Sequence, residues 1–75
     1  MAEEKFLSML GSRIKKARLE KNLSQVKLAE LCNFEKASMS RIESGRTNVT
    51  ILTLQKISSA LGVPPYTLLY EEHHN

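Results

Sequence analysis

The residues of this 75-residue chain that could do chemistry gather in the run KASMSRIESGRTN, positions 36 to 48. On a helical wheel at about 100° per residue, Met39 and Ile42 mark a buried direction. The opposite direction falls on Ala37, Ser40, Arg41 and Ser44, with Lys36 at the N-terminal flank. An ordinary solvated face would be filled with Glu, Lys and Gln. This one is small and polar, with Arg41 and Lys36 reaching beyond it, so the helix axis can approach a surface closely. The floor of a DNA major groove suits such a face, because Arg or Lys bonds guanine edges there and Ala or Ser touches a thymine methyl. The competing reading is a solvent-exposed helix that happens to be rich in serine.

Nothing comparable supports catalysis. Ser24, Ser40 and Ser44 have no nearby base, and His73 and His74 sit at the C-terminal end. Cys32 is the single cysteine, so no intrachain disulfide forms, and with the two histidines it falls short of any metal-ligand spacing. The expectation is no enzyme, no cofactor and no metal, with Cys32 packed as a small buried residue. Charge points elsewhere. The chain carries +3 overall, but positions 11 to 70 hold ten Lys or Arg against four Glu, a local +6, and aspartate is absent. A compact basic surface with a pI near 9.3 is a common footprint of nucleic-acid binding.

The length allows one domain, which buries roughly 60% of its unfolded surface. No apolar run approaches the roughly 20 residues of a membrane span. The start MAEEKF lacks the basic region and apolar stretch of a secretory signal. A cytoplasmic protein in a reducing compartment is expected, without contact with a membrane.

The elements that must carry the 36 to 48 run follow from apolar spacing. Leu10, Ile14 and Ala17, extended back by Phe6 or Leu7, predict a helix over about 4 to 21, stopped by Asn22. Ser24 is a good N-cap for a second helix over 25 to 32 that buries Leu28, Leu31 and part of Cys32. Asn33 tolerates a left-handed backbone and so ends it, and Phe34 drops into the core. A third helix, from 35 or 36 to 44, turns Met39 and Ile42 inward, with Glu35 in its capping position and Gly45 closing it. Thr50 caps a fourth with Ile51, Leu54, Ile57 and Leu61 on one face, and Gly62 ends that one. Pro64 and Pro65 start a short fifth helix with Leu68 inward. No strand alternation is sustained. The fold class is all-α, a compact five-helix domain with its core over 6 to 70 and a flexible tail over 71 to 75. Within it, residues 25 to 44 form two short helices joined by a tight turn, a helix-turn-helix.

The chain from Leu10 to Leu69 resembles the phage-repressor-like (Cro/C1-type, XRE family) helix-turn-helix domain, whose fold is the lambda-repressor-like one. LSQVKLAEL is similar to the family's second-helix opening, SMSRIESG to the end of its recognition helix, and LQKISSALGV to its fourth helix. The order and spacing of the three make the likeness specific. The loop GRTNVTILTL resembles that of restriction–modification controller proteins. Departures are Asn33 where the family usually has glycine, Val49 where it often has proline, and Glu35 in place of a Ser or Thr cap.

The resemblance implies a transcriptional regulator that binds a palindromic double-stranded DNA operator as a homodimer. Lys36, Ala37, Ser38 and Arg41 match positions that reach base edges, and Ser40 shares their outward face. Lys36 equally suits a phosphate, and Ser38 lies at the core flank, where a structural hydroxyl competes. Gln25 matches a phosphate-binding position, and Ser44, Arg46, Thr47 and Asn48 lie where the exit loop tracks the DNA backbone. Glu43 is paired by resemblance with Arg18, as a structural ion pair that keeps its charge from repelling phosphate. Leu52 points off its stripe, and Tyr66, Leu69 and Tyr70 crowd a helix too short to bury them all. These four are candidates for the dimer seam, the alternative being that the tyrosines cap the core. The rival function is an antitoxin or other protein-interaction module with a toxin as partner.

Overall fold

A computed structural model describes residues 2 to 70, which form α1 (Ala2–Glu20), α2 (Gln25–Cys32), α3 (Lys36–Glu43), α4 (Ile51–Leu61) and α5 (Tyr66–Leu69). The tail at 71 to 75 lies outside the described residues. Among those described no strand occurs, and no helix is long and apolar enough to cross a membrane.

Local chemistry fixes the ends of the helices. Ser24 accepts from the Lys27 amide at 3.0 Å, and Thr50 from the Thr53 amide at 3.1 Å, so each N-cap satisfies a first-turn donor. Glu35 occupies the corresponding place before α3 without a side-chain capping bond. Four helices end in the same way, with a left-handed residue at Asn22, Asn33, Gly45 or Gly62. In each, the next amide reaches back five residues, as Phe34 N–H does to Ala29 O at 2.8 Å and Arg46 N–H to Arg41 O at 3.0 Å.

The core is one cluster of Leu10, Ile14, Leu28, Met39, Ile42, Leu54, Ile57, Leu61 and Leu68, with smaller contributions from Ala29 and Cys32. Each large aliphatic side chain taken from water contributes about 1.5–3 kcal/mol. α1 packs against α3, α4 and α5, and α2 against α3 and α4. Burial pushes the Cys32 thiol pKa up, and Lys56 opposes the shift, so the thiol stays protonated and inert.

Three inward assignments need correction. Leu31 is 51% exposed, because Ala29 shares the buried side of α2 with Leu28 and Cys32, and Leu31 lies roughly 100° round the helix from that direction. Ile51 is 77% exposed. As the first residue of α4 it leans toward the helix N-terminus, past the core and into a groove that it shares with Phe6, Leu7 and Leu69. Phe34 is half-buried at the core margin, where Lys56 Nζ stands 5.7 Å from its ring centroid.

Gly11 makes the α1–α3 crossing possible. A Cβ built there would lie 2.5 Å from the carbonyl oxygens of both Ile42 and Glu43, which are backbone atoms that cannot swing aside. Alanine would otherwise gain roughly 1 kcal/mol in helix propensity. Gly11→Ala is nevertheless expected to destabilise the fold by about 1–3 kcal/mol through overpacking. Thermal unfolding followed by circular dichroism measures this, at roughly 4–8 °C per kcal/mol for a domain of this size. A melting temperature at or above that of the native chain would contradict the assignment.

Candidate nucleic-acid interface

Met39, Ile42 and Glu43 are the buried side chains of α3. Lys36, Ala37 and Arg41 stand on its exposed side with Ser44 just beyond its end, and Ser38 and Ser40 are half-buried at the flanks. Arg46 and Asn48 are exposed in the exit loop, where Thr47 is half-buried. A shallow groove of about 240 Å³ brings Ser38, Arg41, Thr47 and Asn48 together, with Phe34 and Thr53 along its wall. The sequence reading did not place Thr53 beside them, since only the packing of α4 against the exit loop brings it there.

Some polar groups in this region are already engaged. The Ser44 hydroxyl donates to Arg41 O at 3.1 Å and accepts from Arg46 Nε at 2.9 Å. Its single proton is therefore turned into the helix end, and Ser44 acts by holding the Arg46 guanidinium, whose terminal nitrogens remain for other acceptors. Asn48 Oδ1 accepts from the Val49 amide at 2.9 Å, which leaves the Asn48 amide nitrogen as its outward donor.

Behind α3 lies a network that joins three helices. Arg18 Nε donates to Glu43 Oε2 at 2.7 Å and Arg18 Nη2 to Glu43 Oε1 at 3.1 Å, a bidentate pair with side chains 8% and 3% exposed. Arg18 Nη1 also donates to Leu23 O at 2.8 Å. Gln25 Nε2, at the start of α2, donates to Glu43 Oε1 at 3.0 Å. The sequence reading missed this last bond, which spans 18 positions that no helical period connects. Among the described residues no buried side-chain polar atom lacks a partner, and no cluster of His, Cys, Asp or Glu could hold a metal ion.

Apolar groups remain uncovered on another side. Leu52, Tyr66, Leu69 and Tyr70 are all exposed, and Ile51 and Phe6 join them. An open groove of about 540 Å³ runs between the start of α1, the start of α4 and α5.

Residues 14–68 match the sequence model of the helix-turn-helix family. The control protein C.BamHI of Bacillus amyloliquefaciens is 44% identical over 62 residues, which cover 81% of this chain and 76% of that protein. The HTH-type transcriptional regulator SinR of Bacillus subtilis is 44% identical over 66 residues, 87% of this chain, and the chain spans 60% of SinR's own length. The structure of SinR in complex with DNA superposes with a TM-score of 0.77 at 43% identity, covering 83% of this chain and 100% of that one. The restriction–modification controller protein C.AhdI of Aeromonas hydrophila superposes with a TM-score of 0.81 at 32% identity, covering 83% of this chain and 94% of its own.

The Arg18–Glu43 pair makes an asymmetric prediction. Arg18→Ala or Glu43→Ala alone strands one buried charge and should cost about 3–5 kcal/mol, whereas Arg18→Met with Glu43→Leu fills the space with apolar atoms and should be neutral or stabilising. Urea unfolding of the three variants compares them. Single losses under about 1 kcal/mol would show that the pair behaves as an exposed one.

Proposed function

Because the chain belongs to the phage-repressor (Cro/C1) type of helix-turn-helix DNA-binding transcriptional regulators, we propose that it binds a palindromic DNA operator as a homodimer, with α3 in the major groove. The observation that carries this reading is the outer face of α3, where Ala37 and the half-buried Ser40 keep a low profile while Lys36 and Arg41 project from it. Arg41 reads base edges, assisted by Lys36, Ala37, Ser38 and Ser40. Gln25, Arg46, Thr47 and Asn48 bind phosphates and set the register, and Ser44 contributes through Arg46. The α2 N-terminus adds first-turn amides and the positive end of a helix dipole. The cytoplasm is the compartment in which such a regulator meets its operator.

One recognition helix reads few base pairs, so two copies on a palindrome supply the affinity. The exposed apolar side chains of Ile51, Leu52, Tyr66, Leu69 and Tyr70 support placing the seam there, since apolar groups left uncovered together mark interaction sites. To engage successive half-sites of a palindrome, the dimer must hold its two α3 helices roughly 34 Å apart, one turn of DNA.

Selection from a random pool of duplex DNA at low salt tests the function. Enrichment of a palindrome is expected, and a pool left unenriched would refute sequence-specific binding. The same assay separates the two arginines. Arg41→Ala should flatten discrimination among enriched sequences by about 1–3 kcal/mol, whereas Arg46→Ala should weaken all DNA alike and reduce the slope of log K against log salt by about 1. The opposite pattern would mean that their roles are exchanged.

A further inference from the structure

We propose that Glu43 is a positioning residue for DNA, acting through Gln25. The inference rests on the phosphate role given to Gln25 above and names what makes that side chain competent. Glu43 Oε1 receives two donors, Arg18 Nη2 at 3.1 Å and Gln25 Nε2 at 3.0 Å. A carboxylate accepts only, so it dictates which end of the Gln25 amide faces inward: the NH₂ group points to Glu43 and the carbonyl away. One proton of Nε2 is thereby engaged, and the second remains on a side chain that is half-buried and so keeps an edge at the surface.

A free glutamine at a helix start samples many rotamers and loses that freedom when it grips a phosphate. Here the loss is incurred on folding, because Glu43 is itself immobilised by two bonds from Arg18. The guanidinium also cancels the carboxylate's charge, so an acidic group can sit behind a phosphate-binding amide without repelling the ligand. A buried ion pair is weak evidence for a contribution to stability, since apolar groups of similar volume often serve the fold as well. Apolar groups could not orient Gln25.

The test uses the full chain and a mixed-sequence DNA duplex at low salt, since phosphate contacts do not depend on sequence. Arg18→Met with Glu43→Leu should remain folded yet bind about tenfold more weakly, the value of one hydrogen bond to a charged group. Gln25→Ala alone should lose the same factor, and adding it to the apolar pair should lose nothing more. Arg18→Met with Glu43→Gln should recover most of the affinity, because the introduced amide offers Gln25 a carbonyl acceptor without restoring the ion pair. Independently of any variant, ¹⁵N relaxation of the Gln25 side-chain amide in the native chain should report an order parameter near the rigid-backbone value of about 0.85.

The proposal is overturned if the apolar pair binds like the native chain, if Gln25→Ala has the same effect in both backgrounds, or if that amide is mobile, with an order parameter below about 0.6. If Gln25→Ala binds normally, the phosphate role of Gln25 falls and this proposal with it, while DNA binding stands. A native chain that binds no duplex at low salt overturns the DNA reading as well.

Discussion

The carboxylate of Glu43 is enclosed by three helices, and what α3 shows to the outside depends on how that charge is satisfied. Arg18 meets it with two parallel hydrogen bonds from α1, and Gln25 meets it from α2. Glu43 stands two residues from Arg41, roughly 200° round the helix. Fixing the one inward therefore fixes the other outward. Gly11 sets how closely α1 and α3 approach, since its missing Cβ admits the carbonyls of Ile42 and Glu43, and the ion pair sets the rotation of α3 within that approach. Distance and rotation are separate constraints, and both act on the outward face of α3.

The outer surface follows a different physics. Its side chains are short at Ala37 and Ser40 and long at Lys36, Arg41 and Arg46, where charge projects from it. Arg46 is held by the Ser44 hydroxyl at 2.9 Å, so one of the exposed cations is partly ordered before any ligand arrives. Neutralising Glu43 from behind leaves the local field positive, the condition for steering a polyanion toward this face.

The number of helices and their ends were legible in the sequence because the signals are local. Ser24 and Thr50 as caps, and Asn33, Gly45 and Gly62 as stops, act within a few residues of chain. The outward direction of Arg41 was equally legible from Met39 and Ile42. Leu31 and Ile51 were misplaced because a helical wheel reports which residues share a face, not whether a neighbour exists to cover it. At α2, Ala29 filled the inward place assigned to Leu31; at α4, the core ended before Ile51. The Gln25–Glu43 bond was invisible for another reason, since it joins two helices through a geometry that only their packing creates. Ser44 read as an outward polar group, yet its position at the end of α3 turned its proton back onto Arg41 O.

The four left-handed helix ends carry a consequence for how the chain reaches its fold. Each stop at Asn22, Asn33, Gly45 and Gly62 is closed by bonds spanning no more than five residues, so it can form while the rest of the chain is still disordered. Helix packing follows sequence neighbours for α2 with α3, whereas α1 with α3, α4 and α5, and α2 with α4, join helices that lie apart in the chain. The local closures at the helix ends cost little loop-closure entropy, and the rest is incurred where helices apart in the chain pack together. The packing of α1 on the α2–α3 unit brings Gly11 against Ile42 and Glu43, and Arg18 onto the Glu43 carboxylate, and so turns a helical hairpin into a surface of fixed shape.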